Sequence, residues 1–139
     1  MLTNNIPLNI FIATSVSFFI AGALKILITY FKKEKIKFSM ALSTGGMPSS
    51  HTAVVVALTT SIFMHEGFTT PFMVSLFFSL VVMSDAIGVR METGRQGKAL
   101  NKMLKTNEFN EKSGHTPLQV LGGLIVGILV AVLLFYASF

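Results

Sequence analysis

No charge occurs in residues 1–24 or in residues 117–139, and both runs are mainly apolar. Two such runs in a chain of 139 residues leave little room for a conventional soluble core. Charged residues make only 12% of the chain, against roughly 25% in soluble domains, while 52% is hydrophobic. That is too little polar surface to coat a soluble domain of this length. The abundance of large apolar side chains excludes a disordered chain as well. With no Cys, disulfides, thiolate metal sites and cysteine nucleophiles are excluded. The sequence reads as an integral membrane protein.

The pattern predicts an all-α, polytopic membrane bundle in a single domain, 1–139. Four spans are expected, at about 7–31, 49–64, 70–88 and 117–139. The first is long enough, at ~1.5 Å per residue, to cross a ~30 Å hydrocarbon core with tilt. It could also be read as a signal peptide, but no basic stretch precedes it and no small-residue cleavage site follows. Lys32, Lys33, Lys35 and Lys37 lie between the first two spans; Arg90, Arg95, Lys98, Lys102, Lys105 and Lys112 lie between the last two. The intervening His65-Glu66-Gly67-Phe68-Thr69 has no Lys or Arg. The positive-inside rule then places both basic connections in the cytoplasm and both termini outside, with the plasma membrane as the expected location. The net charge of +5 is thereby accounted for without nucleic acid as a partner.

Within the second basic connection, Ala99, Leu100, Met103 and Leu104 recur at helical spacing opposite Lys98, Lys102 and Lys105. This predicts a short amphipathic helix over 97–105, either on the anionic inner leaflet or simply solvated. Gly123, Gly127 and Ala131 form a small-residue stripe, which serves close packing inside the monomer or a homodimer contact.

Ser43-Thr44-Gly45-Gly46-Met47-Pro48-Ser49-Ser50-His51 opens the second span. Glycines give a permissive backbone, Pro48 suits a first helical turn, and Ser49 and Ser50 bring hydroxyls. Free N–H groups at a helix start suit a phosphate, and His51 stands where it can donate a proton. A plain helix cap with an interfacial histidine is the competing reading. Lys25 and Asp85 lie at membrane depth, where a charge costs about 2.5–3.5 kcal/mol on insertion scales, so such residues pair or line a site. Arg90 and Arg95 follow Asp85 and offer bidentate geometry to phosphate oxygens. His115 opens the last span. Separately, Lys25 could snorkel and the arginines anchor a helix end, yet all these groups share one level.

The order Pro-Ser-Ser-His, then Gly-His-Thr-Pro-x-x-Val-Leu-x-Gly, resembles the type 2 phosphatidic acid phosphatase and vanadium haloperoxidase superfamily. Gly-Gly-Met-Pro-Ser-Ser-His with Asp-Ala-Ile-Gly-Val-Arg-x-x-x-Gly-Arg-Gln is more similar still to its divergent, acid-phosphatase-related membrane branch. The similarity runs from Lys25 to Gly127. It implies His115 as nucleophile, His51 as general acid, Ser49 and Ser50 as the phosphate cradle and Lys25 as the lysine of the first motif. Phe109 stands where the superfamily has an arginine, and Gln119 where it has a carboxylate. Arg90 or Arg95 could replace the missing cation, and Asp85 could orient a histidine, its other expected role being an ion pair with Lys25 or Arg90.

The expected function is metal-independent hydrolysis of a lipid phosphate or pyrophosphate at the cytoplasmic leaflet, with no cofactor. The alternative, favoured by Phe109 and Gln119, is a catalytically silent protein that binds anionic lipid or organises the membrane and keeps the phosphate pocket. A transporter is less well supported, since no span shows the paired interruptions of a broken-helix site.

Overall fold

The computed structural model describes residues 5–33 and 46–137. Lys35, Lys37 and residues 43–45 of the glycine-serine motif lie outside them. The described residues form five helices: α1 (Ile6–Phe31), α2 (Ser50–Glu66), α3 (Thr70–Ile87), α4 (Val89–Leu104) and α5 (Pro117–Ala137). Among them, α1, α5 and the run Thr70–Leu104 that joins α3 to α4 are long and apolar enough to cross a membrane. The helix ends fall within two residues of the four expected spans, but α2, the second of them, is not among the helices long and apolar enough to cross, and the helix expected over 97–105 begins already at Val89, just past Gly88.

α2 is the centre of the bundle. It packs against α1, α3 and α5, whereas α1 and α3 do not approach each other. The three outer helices turn bulky side chains outward, including Phe11, Phe19, Phe77 and Leu133, each 65–71% exposed. Inward they present small residues. On α1 these fall at four-residue steps, Ala13, Ser17, Ala21, then Lys25 and Thr29. On α5 they include Gly123, Gly127 and Ala131. A methyl group on Gly123 would stand 2.4 Å from the Ser49 carbonyl oxygen, and one on Gly127 would stand 2.6 Å from that of Ala53. The small-residue stripe is therefore used inside the monomer, to bring α5 against α2.

Lipid tails are as apolar as leucine, so helices in a bilayer associate through packing and hydrogen bonds, the latter worth about 0.6 kcal/mol each on average. The bundle supplies both. Ser17 Oγ donates to the Ala53 carbonyl at 3.0 Å, Ser79 Oγ donates to that of Val55 at 2.9 Å, and the Thr59 and Ser79 hydroxyls lie 2.8 Å apart. Such contacts explain why α2 is rich in Ser, Thr and Ala: its surroundings are mainly protein. α4 leaves this cluster and touches α3 alone among the helices.

Candidate functional site

The site forms where the start of α2, the start of α5 and the α3–α4 junction are tied together by backbone. Ser49 N–H donates to the Gln119 carbonyl at 3.0 Å, and His115 N–H donates to the Ala86 carbonyl at 2.9 Å. Gly114, at φ +83°, lies so close to the junction that a methyl group there would be 2.3 Å from the Met91 nitrogen. These ties fix His115 at the top of α3 although it is remote in sequence.

Lys25, fully buried, enters from α1, and its aliphatic stem runs beside Gly46. His115 is 2% exposed, and its charge environment includes Lys25 and His51. His51 in turn feels Lys25 and Arg90. Four of the residues expected from sequence, Lys25, His51, Arg90 and His115, are thus brought together from different segments. Ser49 and Ser50 are buried at the start of α2 beside His51. Ser49 is the N-cap: its oxygen accepts from Thr52 N–H at 3.4 Å and from the Thr52 hydroxyl at 3.0 Å, leaving its own proton to donate. Pro48, expected in the first turn, precedes the cap instead. Arg95 is turned away, exposed and 3.4 Å from Glu92.

Asp85 pairs with Arg90 across the Gly88 break at 2.5 Å. Of its two expected roles this is the ion pair. The partner of the His115 ring is Gln119, whose Oε1 lies 3.3 Å from Nδ1. The same Oε1 accepts the Thr116 N–H at 3.0 Å, and Thr116 Oγ1 accepts the Gln119 N–H at 3.4 Å. This reciprocal pair is a capping box, and Thr116-Pro-Leu-Gln119 is the sequence signal by which Gln119 could have been found. Because Oε1 is held as an acceptor, His115 presents N–H at Nδ1 and keeps its lone pair on Nε2. Nε2 of His115 and Nδ1 of His51 are buried with no hydrogen-bond partner among the described residues. Buried polar atoms without partners are uncommon and concentrate where chemistry is done.

Burial pulls His115 below the ordinary histidine value of 6.5. The Gln119 hydrogen bond opposes that, Lys25 and His51 add to it, and the Gly46 backbone opposes it again. The net direction is down, so His115 is neutral near pH 7. A neutral imidazole with its lone pair on a buried Nε2, near Lys25 and a second histidine, is equipped to attack an electrophilic phosphorus. Among the described residues no group of His, Asp and Glu is arranged to hold a metal ion.

Replacing Asp85 by asparagine tests the division of labour. Asp85 and Arg90 are each about one-third exposed, so losing the pair should lower stability by no more than about 1 kcal/mol. The Gln119–His115 bond should persist. Melting temperature together with the ¹⁵N shifts of His115 reads both; a changed His115 tautomer would show that Asp85 orients the ring.

The sequence matches the family described as the Divergent PAP2 family over residues 6–130. It is 32% identical to the uncharacterized membrane protein YuiD of Bacillus subtilis (strain 168), with 97% of each chain covered. No solved structure matches it. The family match runs from the start of α1 into α5 and takes in every residue of the cluster just described, and the chain belongs to the divergent PAP2 family.

Proposed function

We propose that this integral membrane protein hydrolyses a lipid phosphate or pyrophosphate presented at the cytoplasmic leaflet. The observation that carries the reading is the pair of buried ring nitrogens, His115 Nε2 and His51 Nδ1, which have no hydrogen-bond partner among the described residues and whose rings lie in the field of Lys25 and, for His51, Arg90. In this scheme Nε2 of His115 attacks phosphorus, the bond to the lipid oxygen breaks, and His51 supplies the proton to that oxygen. Water then attacks the phosphohistidine and gives its proton to His51, the P–N bond breaks, and His115 and His51 return to their starting states as phosphate leaves. Lys25, Arg90 and the Ser49 and Ser50 hydroxyls hold the equatorial oxygens, where the transition state spreads its charge.

α2 serves as a fourth span, at the centre of the other three. The two basic connections then lie on the cytoplasmic side with the site, both termini lie outside, and α4 rests at the inner leaflet. A lipid substrate is supported by one further feature. His51, Val54 and Leu58 share a part-exposed face of α2. On one side of this face Ala53 meets α1, on the other Val55 and Thr59 meet α3. Since α1 and α3 do not touch, an acyl chain can lie along α2 with its phosphate at His51.

The test is release of phosphate from a panel of lipid phosphates and pyrophosphates by purified protein, with vanadate as inhibitor. Vanadate mimics the five-coordinate phosphorus of the transition state and should inhibit competitively. Turnover should fall in acid as His115 protonates, at a pH below the ordinary histidine value of 6.5, and fall again toward alkaline pH as His51 loses the proton it has to donate. A well-folded protein that hydrolyses none of the panel, or equal vanadate affinity in wild type and a His51→Ala/His115→Ala double variant, would overturn the proposal.

A further inference from the structure

α4 presents three distinct faces. Its buried face is Gly94, Gly97 and Asn101, and the segment leading to His115 is built on it. A methyl group on Gly94 would meet the Ser113 carbonyl oxygen at 2.7 Å, and one on Gly97 would meet that of Asn110 at 2.5 Å. Asn101 clamps the same segment with its whole amide. Its Nδ2 donates to the Phe109 carbonyl and to Glu111 Oε1, both at 2.9 Å, and its Oδ1 accepts the Phe109 N–H at 3.0 Å. Five residues beyond Phe109 come Gly114 and then His115, pinned against Met91 and Ala86.

Apart from α3, α4 touches no other helix among the described residues. At ~100° per residue, Arg95, Lys98 and Lys102 fall on one arc, and Val89, Leu100, Met103 and Leu104 on the arc opposite. These four apolar residues are 69%, 40%, 78% and 62% exposed. α4 also starts directly after α3, at the end of a helix apolar enough to cross a bilayer. An apolar arc and a basic arc on opposite sides of a helix, at that position, fit the headgroup zone of an anionic membrane. Charge and apolar area both match that partner.

We propose that α4 binds anionic lipid headgroups of the bilayer as an effector distinct from the substrate, and that the Asn101 clamp passes this binding on to the position of His115. Only its activity arm rests on the phosphatase reading. Headgroups favour the state in which α4 is seated on the membrane, and seating holds the 109–115 segment in the geometry that places His115 beside Lys25 and His51. Coupling needs no more than a difference in lipid affinity between seated and unseated α4.

The experiment is amide hydrogen exchange on the full chain in nanodiscs of phosphatidylcholine, with and without phosphatidylglycerol. Anionic lipid should slow exchange over 109–115 by about tenfold, within the usual 5–150-fold range of coupling between sites. A Lys98→Gln/Lys102→Gln/Lys105→Gln variant should lose that difference while keeping its rate in phosphatidylcholine. Inorganic phosphate added to phosphatidylcholine discs should leave the segment unchanged. Where turnover is measured, it should rise with phosphatidylglycerol in wild type and stay level in the triple variant. Equal exchange in both discs, an undiminished difference in the triple variant, or the same slowing from inorganic phosphate would each overturn the proposal. Exchange is read without any hydrolysis, so absence of turnover would count against the phosphatase reading alone.

Discussion

Alanine at position 115 should reduce phosphate release by about 10³-fold or more while the helices stay folded, because a nucleophile has no substitute within a two-step displacement. The local structure predicts this separation. Gln119 keeps its cap on the Thr116 N–H when the imidazole is gone, and the backbone tie from residue 115 to Ala86 does not involve the ring. The melting temperature in detergent should therefore move little. His51→Ala should behave differently. Its loss should slow departure of the lipid oxygen yet leave attack by His115 intact, with the largest deficit on substrates whose leaving group is a poor one. Acid-labile phosphate trapped on wild type and on His51→Ala, but absent from His115→Ala, would assign the two roles. Trapping on His115→Ala would refute them.

The second large effect is expected from Gly114→Ala, a single methyl group. At φ +83° an L-residue is strained, by about 1–2 kcal/mol. The added carbon would also lie 2.3–2.7 Å from Met91 and Arg90 backbone atoms, and backbone cannot swing aside as a side chain can. The segment must lift from the α3–α4 junction. Overpacking of that kind adds about 1–3 kcal/mol to the strain. A shift of ~1 Å in a reacting group can cost about 10²-fold in rate. Both stability and turnover should therefore fall. Gly67→Ala is the matched control, since Gly67 has φ +71° but nothing within 4 Å of the added carbon. It should show strain alone, with turnover unchanged. Similar losses in the two variants would mean that contact with Met91 is not what positions His115.

The parts of this molecule that sequence made legible are those with a one-dimensional signature. Runs of uncharged residues marked α1, α3 and α5, and the histidines and Lys25 stood out because polar groups at that depth are costly. α2 is the least apolar of the four expected spans because it is enclosed by its neighbours, where hydropathy no longer reports contact with lipid. Partner choice was harder to read. Asp85 offered two roles, and only the fold shows Arg90 beside it while the amide of Gln119 faces His115. Arg90 and Arg95 looked equivalent in the motif. Their angular positions on α4 send one toward His51 and the other toward Glu92. Asn101 gave no signal at all, since a lone asparagine in a basic helix has no pattern that announces a clamp.

The central position of α2 also bears on how the protein is made. α2 is flanked by helices that precede and follow it in the chain, and its closest fit, against Gly123 and Gly127, is with the last of them. During synthesis α1, α2 and α3 reach the bilayer while α5 is still on the ribosome, so the side of α2 that carries Thr52, Ala53 and Val56 meets lipid first. Insertion of α5 covers that side and, in the same event, delivers His115 to the residues already waiting. An unfinished chain thus holds the proposed anion-binding groups without the proposed nucleophile, and the proposed reaction cannot begin in the membrane before the fold is complete.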